Sequence, residues 1–265
     1  MNKKILIVLI SVMCLVAIGV LLVFNDKENP EMVLYDKNNN SIKQTEKYIV
    51  NPVKYEITSA KNLRRNANVP LSVGQEFRYY LNKYDGGYGN ETYNVERIEI
   101  IEGKVYYVVR VNKEGVFKSD DGSQHIEFTQ TIYYDKDNGS VLKLLGLGKV
   151  LTGDDAEITI SESFFASWML ALDDNFKWKQ EYTYTIGEKT KKKSKEYEVV
   201  NRDKVEGIEC FKVKVTTISN PEEIIKKITY KSYLWIDAKK RILIKSEYWS
   251  KGNLRTSETN LVSEL

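Results

Sequence analysis

The sequence contains an internal repeat, which restricts the fold more than any other feature of the chain. Gln75–Leu81 (QEFRYYL) recurs 105 residues later as Gln180–Ile186 (QEYTYTI). The offset of later matches shrinks to 104 and then 102 residues, and it changes only between runs of alternating apolar and polar residues. Because a slip inside a strand would turn its apolar face outward, this pattern indicates two copies of one sheet motif. The later matches pair Tyr107–Val111 with Phe211–Val215, and Ile126–Asp135 with Ile228–Asp237.

Each copy is predicted to be an antiparallel meander of about five strands, because aromatic and β-branched residues alternate with polar ones between turn signals. Glu102–Gly103 and Glu206–Gly207 are two-residue connections with glycine second, which suits tight hairpins. A last strand is predicted at 254–264. The other predicted strands are 74–82, 92–101, 104–112, 124–135 and 140–147, then 178–187, 196–205, 208–218, 225–236 and 241–250.

A helix is predicted between the copies, at residues 161–173. Thr159 with Glu162, or Ser161 alone, can cap its start. Its apolar residues form one wide stripe, so we expect it to pack on a sheet face. The predicted fold class is mainly β, with two tandem antiparallel meander repeats that form a curved sheet or half-barrels with one packed helix, preceded by a single transmembrane helix. The stripe consists of Phe164, Phe165, Trp168, Met169 and Leu172.

An apolar run of twenty residues, Ile5–Phe24, precedes the repeats, and Ser11 is its only polar residue. At about 1.5 Å per residue a helix of this length spans roughly 30 Å, the hydrocarbon thickness of a bilayer. Lys3 and Lys4 come before the run, so the positive-inside rule places the N-terminus in the cytoplasm and the bulk of the chain outside it. We therefore predict a single-pass anchor in the cell membrane.

Two alternatives to an anchor stay open. A cleaved signal peptide could end at Ala17–Gly19, although five further apolar residues follow before the first polar one. Lipid attachment at Cys14 is less favoured, because Met13 is large where a lipobox needs a small residue. The second cysteine, Cys210, lies in a predicted strand, so no intramolecular disulfide is expected.

The sequence divides the whole chain into five parts. An anchor at 1–24 is followed by a polar stalk at 25–70, which contains three of the four prolines and leaves room for one short strand. The first β repeat is predicted at 71–150 and the second at 177–265. The connecting segment with its helix occupies 151–176.

The charged residues and the single histidine restrict the function. Without Lys3 and Lys4, 38 basic residues face 37 acidic ones, so the exterior part has no electrostatic footprint for nucleic acid. His125 is the only histidine, which excludes triads or zinc sites that need two imidazoles. No nucleophile motif accompanies it, and no spacing singles out a carboxylate pair among the acids. The sequence predicts a protein that is not an enzyme and holds no metal or cofactor.

Two polar clusters have both a functional and a structural interpretation. Asp135–Gly139 resembles the start of a calcium loop, but its glycine comes at the fifth place and Gly146 stands where a bidentate glutamate is required. A hairpin turn is therefore favoured. Lys189–Lys195 could contact anionic lipid headgroups, but it falls at a predicted hairpin tip, and a solvated tip is favoured.

Three Asn-x-Ser/Thr sequons are present, at Asn39, Asn90 and Asn138. The predicted topology would expose all three to glycosylation machinery where the organism has it. Short triplets of this kind also arise by chance, so they add little to the prediction of topology.

Two segments of the second copy carry a resemblance to a known family. Gly207–Val213 and Leu234–Glu247 resemble the closing strands of the secreted half-barrel group of LolA-like lipoprotein carriers and their uncharacterised relatives. That resemblance implies one antiparallel sheet curled around a helix, with lipid in the hollow of several members. The chain departs from the carriers because it keeps an anchor and duplicates the sheet, which argues against shuttling between membranes.

If the fold carries over, six aromatic residues are candidates to line a concave ligand-binding face. The competing interpretation is that they belong to the core. We therefore predict a membrane-anchored, extracytoplasmic, non-catalytic β module that binds an apolar or lipid-like ligand or a protein partner. The alternatives are a structural cell-surface interaction module with a filled core and, less favoured, a carboxylate-dependent hydrolase. The six candidates are Phe77, Tyr79, Tyr182, Tyr184, Phe211 and Trp235.

Overall fold

The structure is a computed structural model of the 265-residue chain. The predicted membrane segment, residues 5–24, lies outside the part that it describes. Of the helices in the described ranges, none combines the length and apolar character that a bilayer crossing requires. The described residues are 34–35, 41–42, 53–58, 63–84, 86–119, 122–146, 148–186, 189–219, 228–249 and 255–265.

The described residues form one curved antiparallel sheet of fifteen strands that does not close on itself. This confirms the prediction of a mainly β chain. A short α-helix and a 3-10 helix lie between the ninth and tenth strands. The elements are β1 (Leu34–Tyr35), β2 (Ser41–Ile42), β3 (Val53–Ile57), β4 (Glu76–Lys83), β5 (Tyr88–Ile101), β6 (Lys104–Ser119), β7 (Gly122–Asp135), β8 (Val141–Gly146), β9 (Lys149–Thr152), α1 (Gly153–Thr159), the 3-10 helix (Ser167–Ala171), β10 (Lys177–Ile186), β11 (Lys189–Val205), β12 (Ile208–Ser219), β13 (Ile228–Asp237), β14 (Leu243–Trp249) and β15 (Arg255–Glu264).

The strand order contains two meanders joined by the last strand. Strands β4 to β8 pair in sequence, and so do β10 to β14. β15 lies between β14 and β4 and so links the two meanders into one sheet. Three short strands, β1, β2 and β3, fall in the predicted polar stalk, for which the sequence allows one; β3 pairs with β10 at one end of the sheet and β1 with β7 toward the other.

The same backbone irregularities recur in both meanders. The register of β5 against β6 shifts at 95–97, and that of β11 against β12 shifts at 199–201, which is 104 residues later. The hairpin turns at Glu102–Gly103 and Glu206–Gly207 have positive φ at both central positions, 51° and 77° in the first and 50° and 85° in the second. Two consecutive residues with positive φ characterise the type I′ turn, whose twist matches that of the flanking strands.

The connecting segment differs from the predicted helix at 161–173. The α-helix ends at Thr159, and the residues that follow are irregular until the 3-10 helix begins at Ser167. The helix prediction is wrong because the backbone of this segment bonds to other parts of the chain. The carbonyl of Phe164 accepts a hydrogen bond from the Leu243 amide of β14 (2.8 Å), and that of Leu170 accepts one from the Asn66 amide (2.8 Å).

The apolar side chains of the connecting segment fill the inner face of the sheet, the face that carries Phe77 and Tyr197. The ring centre of Phe164 lies 5.4 Å from that of Phe77 and 4.3 Å from that of Tyr93, both in the first meander. Trp168 stands 4.8 Å from Tyr197 in the second meander. All five apolar residues predicted for the helix stripe are buried. One segment thus provides core for both copies.

Candidate functional site

Three of the six aromatic candidates lie inside this core. Phe77, Tyr79 and Phe211 are 1%, 2% and 2% exposed. Phe77 packs on Phe164, and the Tyr79 hydroxyl donates a hydrogen bond to the Leu243 carbonyl (2.7 Å). Other parts of the chain therefore cover these side chains in the described structure.

Trp235 lies on the opposite, outer face of the sheet, beside a groove of about 710 Å³. Its indole N–H donates to Asp203 (3.1 Å), which holds the pKa of that carboxyl below its usual value. The ammonium groups of Lys212 and Lys245 lie 4.8 and 5.2 Å from the indole ring. Only 5% of Trp235 is exposed, so its ring faces are occupied by the chain's own cations.

Tyr182 and Tyr184 lie at the end of the inner face formed by β3, β10 and β11. The ring of Tyr55 stands 5.9 Å from that of Tyr182 and 6.3 Å from that of Tyr184. Lys193 pairs with Tyr182 across the strands, and its ammonium lies 5.0 Å from the centre of the Tyr184 ring. We call the group Tyr55, Tyr182, Tyr184, Lys191 and Lys193 the lysine–tyrosine end.

β11 carries three lysines at alternate positions of the inner face, Lys191, Lys193 and Lys195. This part of the chain was expected to be a solvated hairpin tip, but β11 pairs with β10 as far back as Lys189. Lys191 is exposed, Lys193 is half-buried and Lys195 is buried. Burial lowers the pKa of Lys193 to about 8, and repulsion from the two neighbouring lysines acts in the same direction.

Lys195 forms an ion pair with the connecting segment. Its ammonium lies 2.6 Å from Glu162 Oε1 and 2.9 Å from Ser161 Oγ, and Ser232 donates to the other oxygen of Glu162 (3.0 Å). The side chains of Lys195 and Glu162 are 9% and 14% exposed. Burial alone would lower the pKa of Lys195, but attraction to Glu162 and to neighbouring tyrosines holds it well above its usual value.

The contact between Lys195 and Ser161 has the spacing of a serine nucleophile and its lysine base. A general base must give up its own proton first, and Glu162 keeps Lys195 protonated. The hydroxyl of Ser161 donates to the Ile158 carbonyl (2.9 Å) at the end of α1. The arrangement therefore holds the connecting segment against β11 and leaves no free base.

The sequence alone did not predict that Lys193 and Lys195 point to the inner face or that Glu162 pairs with Lys195. The repeat offset of 104 residues aligns Lys193 with Gly89 and Lys195 with Glu91. That alignment places both lysines on the same face as the inward-pointing residues of the first copy. It is the signal that could have separated them from the rest of the Lys189–Lys195 cluster.

The polar turn at Asp135 is a hairpin connection. Its carboxylate accepts hydrogen bonds from the amides of Asp137 (2.9 Å) and Asn138 (3.0 Å). The equivalent Asp237 does the same for Lys239 and Lys240 in the second copy. Within the described ranges no three His, Cys, Asp or Glu side chains are grouped closely enough to hold a metal ion.

The remaining candidates of the sequence are dispersed. Cys210 is a buried free thiol whose pKa is raised to about 12 by burial. His125 and Asn90 are exposed, and Asn138 is half-buried in the Asp135 turn. Asn39 lies outside the described residues.

No protein-family model and no curated protein matches the chain. A candidate exported protein with a YmcC-like fold from Bacteroides fragilis is 14% identical, with a TM-score of 0.40, over 75% of this chain and 99% of that one. A candidate lipoprotein from Parabacteroides distasonis is 15% identical, with a TM-score of 0.40, over 76% and 100% of the two chains. The hypothetical lipoprotein YmcC from Escherichia coli is 12% identical, with a TM-score of 0.34, over 71% and 83%. No residue described above takes its role from these proteins.

Proposed function

We propose that this chain is a membrane-anchored, extracytoplasmic, non-catalytic β module with a filled core, which acts by binding at its surface. The observation that supports this proposal best is the packing of Phe164 on Phe77 and Tyr93, because the connecting segment takes the space that an enclosed apolar ligand would need. Binding is then left to groups outside the core, of which the lysine–tyrosine end is the best candidate.

The described residues offer little support for a catalytic site. Ser161 and Lys195 form a buried contact, but Lys195 keeps its proton because Glu162 forms an ion pair with it. A carboxylate-dependent hydrolase would need two acids converging on a pocket. Glu91 of the inner face and Glu162 of the connecting segment are each paired with a lysine.

The anchor is proposed from the apolar run Ile5–Phe24 and the two lysines before it. Intact mass spectrometry of the membrane fraction separates its alternatives. An anchor predicts the full-length mass, cleavage near Ala17–Gly19 predicts the loss of the segment before it, and lipidation at Cys14 predicts an acyl adduct on a shortened chain. Only the first outcome agrees with the proposal.

The filled core is tested by Phe77→Ala in the full-length chain. Because Phe77 is packed by the protein itself, the substitution should lower the free energy of unfolding by about 3 to 5 kcal/mol in urea denaturation. Tyr88→Ala serves as control, since Tyr88 is 48% exposed and its loss should change stability by about 0.5 kcal/mol or less. If Phe77→Ala lowered the free energy of unfolding as little as the control does, the space around Phe77 would be empty and the filled core would be rejected.

A further inference from the structure

Three lysines of the inner face differ in whether a carboxylate pairs with them. Lys113 is paired with Glu91 (2.9 Å) in the first copy. Lys195 is paired with Glu162 (2.6 Å) in the second. Lys193 lies next to Lys195 on the same face, and its contact among the described residues is the Tyr184 ring, with no described carboxylate in salt-bridge range.

A half-buried ammonium without a paired carboxylate is costly, because burial disfavours its charge and contact with the Tyr184 ring offsets only part of that loss. Two further cations, Lys191 and Lys195, share its face of β11 and add repulsion. The free energy lost by Lys193 in the free protein is recovered if a bound anion neutralises it. The local charge is therefore complementary to a negative group rather than to an apolar chain.

The tyrosines around Lys193 complete the chemistry of such a site. Burial raises the pKa of Tyr55 to about 12 and that of Tyr184 above its usual value, so both hydroxyls stay protonated at neutral pH. A protonated phenol can donate a hydrogen bond to an anionic oxygen. Their rings supply apolar surface beside the cations.

We propose that the lysine–tyrosine end binds a phosphate group between Lys193 and Lys191, with tyrosine hydroxyls as additional donors. This inference rests on the proposed function and names the ligand class of its binding surface. The anionic group has two sources, a free ion or the headgroup of a membrane lipid. Lys193 makes the direct ion pair, and Lys191 contributes charge from the exposed rim.

The test uses the full-length chain in lipid nanodiscs and the acetylation rate of individual lysines, measured by peptide mass spectrometry. Occupancy shields Lys193, so its rate should fall about tenfold when inorganic phosphate exceeds its Kd about tenfold. Nanodiscs of phosphatidylcholine alone and nanodiscs with added phosphatidylglycerol distinguish the two sources. Slowing by phosphate alone indicates a free anion, and slowing by phosphatidylglycerol indicates a lipid headgroup.

Two variants and one internal control make the result specific. The acetylation of Lys231, an exposed lysine of β13, should keep the same rate in every arm. A rise in melting temperature with the effective anion should vanish in Lys193→Met and return in Lys193→Arg, which restores the cation. An unchanged acetylation rate of Lys193 in all arms would overturn the anion site. The filled core is tested separately by Phe77→Ala.

Discussion

The two copies of the meander share their turns and bulges but differ in the charges of their inner faces. At the position where the first copy has Glu91, the second has Lys195, and Gly89 of the first copy corresponds to Lys193. Two residues further along each strand, Tyr93 and its equivalent Tyr197 both pack on aromatic rings of the connecting segment. The copies are thus alike at these aromatic contacts and differ in the charged positions next to them.

Each copy balances its charge in a different way. In the first copy, Glu91 forms an ion pair with Lys113 on the neighbouring strand, so both partners belong to the same repeat. In the second, Lys195 takes its partner from the connecting segment. A side chain at Gly89 would meet the Glu114 carbonyl at 2.8 Å, so the first copy has no room for the cation that the second carries as Lys193. The second copy is therefore the one equipped to bind an anion.

The largest expected difference between the copies comes from neutralising their two glutamates. Glu162→Gln leaves Lys195 charged and buried, and should lower the free energy of unfolding by about 3 kcal/mol. Glu91→Gln should cost about 1 kcal/mol, because its side chain and that of Lys113 are 25% and 21% exposed. Urea denaturation of both variants measures the contrast, and equal costs would remove the distinction between the two ion pairs.

A smaller effect of opposite sign is expected for Lys193→Met. The substitution removes a desolvated cation and should stabilise the free protein at pH 7 by about 2 kcal/mol, less than full burial would give because water reaches part of the side chain. The matched control is Lys231→Met, on an exposed lysine, which should leave stability unchanged within about 0.5 kcal/mol. A destabilised Lys193→Met variant would show that this lysine has a counter-charge in the free protein.

The gain from Lys193→Met should depend on pH. The folded pKa of Lys193 is about 8, below the ordinary value of 10.5, so the unfolded chain binds more protons between these two values. Wild-type stability therefore rises with pH across that window, and the advantage of the variant is full below pH 8 and shrinks toward pH 10.5. Tyr55, Tyr182 and Tyr184 face the same space, but their raised pKa values leave the lower part of the window to Lys193. Denaturation curves at pH 7 and pH 9.5 measure the change.

The smallest effects should be equal in the two copies. Gly103 and Gly207 have φ values of 77° and 85°, and a Cβ at either would meet open space. Alanine at each position therefore costs only the strain of a positive φ, about 1 kcal/mol. Unequal melting temperatures of Gly103→Ala and Gly207→Ala would show that the two hairpins are not equivalent.

Strands were the part of the fold that the sequence predicted well. β10 was expected at 178–187 and is found at Lys177–Ile186, and β13 was expected at 225–236 and is found at Ile228–Asp237. Alternation is a strong signal here because one face of each strand is buried against the connecting segment. The repeat offset then predicted which strand of the second copy corresponds to each strand of the first.

The connecting segment and the charged site could not be predicted in the same way. An apolar stripe at helical spacing also suits an irregular segment that is buried on several sides, as Phe164 and Trp168 are. Lys195 and Glu162 belong to different elements, so no local sequence pattern predicts that they form an ion pair. The Lys189–Lys195 cluster resembled a solvated tip because it contains no apolar residue on either face of the strand.

The position of β15 between β14 and β4 restricts the order in which the sheet can be completed. During synthesis β4 emerges early, whereas its partner follows only after the whole second copy. Until then β4 has one edge of unpaired backbone groups, which can pair with another chain. Pairing of strands so distant in sequence is also slow. The β4 edge of the nascent chain therefore stays exposed to aggregation until β15 pairs with it.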